Sequence, residues 1–120
     1  MKELKLGVIE SRFADIIWQS EPITTSELVA ICEKELNWKR TTTYTVLKRL
    51  SERGIFKNDG GTVSSLISRR EFYSLQSERF VEESFNGSLP AFFAAFTARK
   101  TLTAEEIADI RKTIDSYEEE

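Results

Sequence analysis

The chain contains no histidine and a single cysteine, Cys32. The commonest metal ligand and the commonest general base are therefore both missing. One cysteine excludes an internal disulfide. No Gly-rich phosphate loop and no nucleophile motif is present either. These absences argue against an enzyme, and no catalytic residue, metal ligand or cofactor is expected. No apolar run is long enough to cross a bilayer, and the first residues carry no cleavable signal pattern, so a cytoplasmic protein is expected. There is no internal repeat and no low-complexity linker.

What is present is a chain of 120 residues that is 40% hydrophobic, with eight Phe. That is enough for one or two small cores. The formal net charge of −3 hides an asymmetry. Residues 39–70 hold eight Lys and Arg against only Glu52 and Asp59, whereas residues 77–120 hold five Lys and Arg against ten Asp and Glu. The overall balance disfavours a nucleic-acid partner and the local window favours one. The window carries more weight, because phosphate contacts are made by a local patch.

A first helix is expected over about Val8 to Gln19, with Ile9, Phe13, Ile16 and Ile17 as its apolar residues and Trp18 beside them, ended by Glu21-Pro22. Thr24 and Glu27 have capping-box spacing and open a second helix with Leu28, Ile31 and Cys32 inward. Cys32 reads as a small core residue. Asn37-Trp38 is a turn, and a third helix follows through TTTYTVLKRLSER to an αL cap at Gly54. Two short strands, around Ile55–Lys57 and Val63–Ile67, flank the turn at Asn58-Asp59-Gly60-Gly61. Three helices and a hairpin in that order describe a winged helix-turn-helix.

The third helix is two-faced. Thr43, Val46, Leu47 and Leu50 recur at i, i+3, i+4 and i+7 and must pack inward. Thr41, Thr42, Tyr44, Thr45, Lys48 and Arg49 face outward. Short hydroxyls, one aromatic alcohol and cations suit a helix in a DNA groove, where hydroxyls reach base edges or phosphates and cations neutralise the backbone. Lys39, Arg40, Lys48 and Arg49 are expected phosphate contacts, with Lys57 and Arg69 near the wing as further ones. The plainer reading of each is solvated surface charge. Trp18 and Trp38 are expected to pack rather than stack on bases.

Ser68 to Glu71 is a second capping pattern, opening a long helix that ends at Asn86-Gly87. A shorter helix, LPAFFAAF, and a last one capped by Thr103 and Glu106 complete the chain. Phe85, Leu89, Phe92, Phe93, Phe96, Ile107, Ile110 and Ile114 are expected in a core or a dimer interface, which sequence alone does not separate. So much apolar surface on about 50 residues would be exposed in a monomer, and a second copy would cover it. The expected organisation is mainly α with a small β wing: a winged-helix DNA-binding domain over 1–70 and a helical dimerisation domain over 71–120.

Four stretches carry a resemblance. LGVIESRFADIIW, NWKRTTTYTVLKRLSERGIF, SLISRREF and ESFNGSLPAFFAAFTARKTLTAEEIADIRKTID resemble, in this order and spacing, the family of repressors that control penicillinase and methicillin-resistance genes, together with its copper-responsive relatives. The resemblance implies a cytoplasmic homodimer that binds a palindromic double-stranded DNA operator and blocks transcription. It implies relief by a membrane-bound sensor metalloprotease that cuts the dimerisation domain, in the best-known members between Asn and Phe. The matching bond here is Ala95-Phe96, with the Phe kept. The Cys-rich metal-binding tail of the copper-responsive branch has no counterpart. Thr42 and Thr45 match threonines of the family's recognition helix. Thr41 and Tyr44 stand where the drug-resistance repressors place Lys and Arg, which implies a different operator half-site. Ser64 and Ser65 replace aromatics of the wing. The alternative reading of the same residues is a winged-helix module that docks on a protein.

Overall fold

The computed structural model describes residues 5–117. The elements are α1 (Val8–Ser20), β1 (Ile23–Thr24), α2 (Thr25–Leu36), α3 (Arg40–Glu52), β2 (Phe56–Asp59), β3 (Thr62–Ser65), α4 (Arg69–Phe85), α5 (Leu89–Thr97) and α6 (Ala104–Asp115). The chain folds as two compact units that divide between Glu78 and Arg79.

The first unit has a continuous apolar core. Phe13, Ala14 and Ile17 of α1 meet Leu28 and Cys32 of α2 and Val46, Leu47 and Leu50 of α3. Ile23, Ile55, Phe56 and Val63 close it from the sheet side, and Phe72 from the start of α4. Phe13, Phe56 and Phe72 are completely buried, each contributing about 1.5–3 kcal/mol of transfer free energy. Trp18 packs against Phe56 and Phe72 and donates its indole N–H to the Ile67 carbonyl at 3.0 Å. Trp38 stacks on Phe13 at 5.4 Å. Both tryptophans are packing residues, as their sequence positions suggested. Of the apolar residues of α1, Ile9 in the first turn is 47% exposed.

Local chemistry sets the helix ends. Thr24 Oγ1 accepts from the Glu27 N–H, and the Glu27 carboxylate accepts from the Thr24 N–H, at 3.1 and 3.2 Å. Asn37 ends α2 in the left-handed region at φ 56°, and three residues later α3 begins. Gly54, at φ 82°, lets the chain reverse after α3. Its N–H bonds the Ser51 carbonyl, and the Ile55 N–H bonds the Leu50 carbonyl at 3.1 Å. That pair of bonds is a Schellman closure, and it drops Ile55 into the core.

The hairpin turns on Gly60 and Gly61, at φ 62° and 94°, the paired positive angles of a two-residue hairpin loop. Asn58 Oδ1 accepts from the Gly61 N–H. The sheet holds a third strand beyond the two read from sequence, in the order β1-β3-β2, all antiparallel. β1 is two residues long and pairs Ile23 with Val63 and Thr24 with Thr62. Two residues have no readable alternation, so only the partner strand reveals it. The Glu21 carboxylate secures this edge, accepting from the Ser65 N–H at 2.7 Å and the Ser65 hydroxyl at 2.8 Å. Leu66 and Ile67, read as strand residues, lie beyond the end of β3.

The second unit contains the end of α4, then α5 and α6. Ser88 caps α5, with Pro90 in its first turn, and Thr103 with Glu106 forms a complete capping box on α6. Phe80, Phe85, Phe92 and Phe96 form a chain of edge-on and tilted ring contacts 5.6–6.2 Å apart. None of the described residues after Arg79 is buried. Phe85, Phe92 and Ile110 are half-buried, while Leu89, Phe93, Phe96, Ile107 and Ile114 are exposed. Phe93, Thr97, Leu102, Ile107, Ile110 and Ile114 line an apolar groove between α5 and α6.

Candidate nucleic-acid interface

The core fixes the rotation of α3. With Thr43, Val46, Leu47 and Leu50 buried, the opposite side of the helix must meet solvent. Lys39, Arg40, Thr41, Thr42, Thr45, Lys48 and Arg49 are exposed, and Tyr44 is half-buried. The ridge is 13 residues long, or about 20 Å at 1.5 Å per residue. A single helix of that size fits the major groove of B-DNA, about 12 Å wide.

The side chains on this ridge are not equivalent. Thr45 Oγ1 donates to the Thr41 carbonyl at 2.8 Å, which commits its proton to the helix backbone. The Arg40 guanidinium lies 5.4 Å over the Tyr44 ring, a cation–π contact that stiffens both. Among the described residues, Lys39, Lys48 and Lys57 form no ion pair, and their charge faces solvent. Lys57 sits on β2 opposite Ser64. Arg69 is turned toward α1, with Nε 2.8 Å from Asp15 and its guanidinium 4.9 Å over Tyr73.

Arg49 is held as well. Its Nη1 lies 2.8 Å from Glu10 Oε2, and Arg53 Nη1 lies 3.6 Å from Oε1 of the same carboxylate. Gly7 N–H donates to Glu10 Oε1 at 3.2 Å. Partial burial on its own would raise the Glu10 carboxyl; the Gly7 hydrogen bond and the Arg53 and Arg49 charges outweigh it and hold the group below the usual carboxylate range. Sequence reading missed Glu10. Its partner is 39 residues away, and no local spacing signals such a pair. Cys32 is completely buried, and burial pushes its thiol up, so it packs rather than reacts.

Among the described residues no cluster of His, Cys, Asp or Glu could hold a metal ion, and no helix is long and apolar enough to cross a membrane.

A helix-turn-helix whose second helix presents hydroxyls and cations, beside a two-stranded wing carrying Lys57, defines a winged-helix DNA-binding protein. Residues 6–116 match the family model of the penicillinase repressor. The chain belongs to that family, whose members are transcriptional repressors and not enzymes. It is 24% identical over 122 residues to the penicillinase repressor of Bacillus licheniformis, covering 98% of this chain and 95% of that one. It is 20% identical over 118 residues to the methicillin resistance regulatory protein MecI of Staphylococcus aureus, covering 95% and 96%.

Proposed function

We propose that this repressor acts as a cytoplasmic homodimer on a palindromic operator. Residues 1–70 serve as the DNA-binding domain and residues 71–120 as the dimerisation domain. Each protomer lays α3 in a major groove. Thr41, Thr42, Tyr44 and Thr45 face base edges, and Lys39, Arg40, Lys48 and Lys57 face the backbone, while Arg49 lies on the same ridge paired with Glu10. The observation that carries this reading is the exposed ridge of α3, set outward by a buried seam on the same helix. Dimerisation is supported by the second unit's exposed apolar residues, Leu89, Phe93, Phe96, Ile107 and Ile114, which a two-fold partner would cover. Phe85, Phe92 and Ile110 support the same interface from its half-buried edge.

The controlled genes, in this reading, are antibiotic-resistance genes, as the names of the relatives suggest. Repression is relieved by a membrane-bound sensor metalloprotease cutting Ala95-Phe96. Both residues are exposed on α5, and a cut there would split the helix that supplies Phe92, Phe93 and Phe96.

A mobility-shift titration of the promoter upstream of its own gene tests the reading. Sequence-selective binding that weakens with salt is expected. Equal binding to unrelated DNA, or none, refutes it.

A further inference from the structure

The cations of the α3 ridge divide into two kinds. Lys48 carries an uncompensated charge, whereas Arg49, one residue on, shares a carboxylate with Arg53. Arg49 lies on the stripe of Thr42 and Thr45, at i+7 and i+4 from them, and its side chain is 47% exposed. It therefore occupies a place where phosphate would be met. Glu10 is 19% exposed and is anchored on its own helix by the Gly7 N–H. An approaching phosphate would meet a guanidinium already bonded to a fixed carboxylate, with that negative charge beside it.

Resting on the DNA-binding reading above, we infer that Glu10 is an attenuator of DNA affinity: its carboxylate masks Arg49 and withholds that cation from the phosphate backbone. α1 thereby acts on the strength of a contact made by α3. Because the mask is a charge and not a shape, it acts on every DNA sequence alike and appears in the salt dependence. Each phosphate neutralised adds about 0.9 to the slope of log affinity against log salt. Removing the Glu10 charge should free one cation. Removing Arg49 from the native protein should change little, because Arg53 remains beside Glu10 to take up the carboxylate.

The test is an anisotropy titration of a mixed-sequence DNA duplex across a salt series, with the full chain as native, E10Q, R49Q, E10Q/R49Q and K48Q forms. Circular dichroism melts check that each is folded. E10Q should bind more tightly at low salt, with a slope steeper by about 0.9; over a fourfold rise in salt it should lose about 3.5-fold more affinity than native. The double variant should return to the native slope. K48Q should lower the slope by about 0.9 while R49Q runs nearly parallel to native. If E10Q does not fold, the comparison of K48Q with R49Q decides alone. The inference is overturned if folded E10Q binds no more tightly than native, or if R49Q lowers the slope as much as K48Q does. If native protein shows no salt-dependent binding at all, the DNA-binding reading falls and takes this inference with it.

Discussion

The residues of α3 fall into two groups with separable effects. Lys48 faces solvent unpaired, so K48Q should weaken binding to all sequences alike and reduce the salt slope by about 0.9. Thr42 is exposed on the same helix, and in the proposed reading its hydroxyl meets a base edge. Thr42→Val should leave the slope unchanged and cost about 1–3 kcal/mol at one operator position, relaxing preference there. A binding-site selection experiment on the variant would register the change, and uniform weakening would put Thr42 on the backbone instead. The orientation of these residues was legible in the sequence, because Thr43, Val46, Leu47 and Leu50 have helical spacing and can point only one way. The condition of their charges was not. Arg49 and Lys48 look alike in sequence, and only the approach of Glu10 from α1 tells them apart.

At the scale of elements, stability rests on a few local bonds. Thr24→Ala removes the α2 cap and should cost about 1 kcal/mol in a denaturant titration. The same box has a pH signature. Hydrogen bonds from the Thr24 side chain and backbone hold the Glu27 carboxyl below its ordinary value of 4.5. A carboxyl lowered by folding stabilises the fold above its unfolded value, and that contribution disappears as pH falls through the lower folded value. E27Q should therefore lose less stability than native protein on acidification below about pH 4.5, measured by chemical denaturation at stepped pH; an unchanged acid response would contradict the assignment. Capping boxes at Thr24 and Thr103, the Gly54 cap and the Gly60-Gly61 turn were all readable, since each depends on residue types at fixed short offsets. β1 was not, because a two-residue strand exists only through its pairing with Val63 and Thr62.

The whole molecule is proposed to work as a pair. Among the described residues, its first unit buries thirteen apolar residues and its second unit none. Phe96→Glu would place a charge in the apolar surface of α5 and should shift the protein toward monomer in sedimentation velocity, with loss of tight operator binding; a dimer unaffected by that change would move the interface elsewhere. The apolar residues of this unit could be picked out from sequence, but their division into core and interface could not. That division depends on how far three short helices cover one another, which composition does not encode. The most direct test of the central claim, that two α3 ridges read one duplex, is hydroxyl-radical footprinting of the upstream region with native protein. Two protected half-sites of inverted sequence are predicted, their centres separated by whole helical turns of about 10–10.5 base pairs. Protection confined to a single unrepeated site, or spread evenly without regard to sequence, would contradict it.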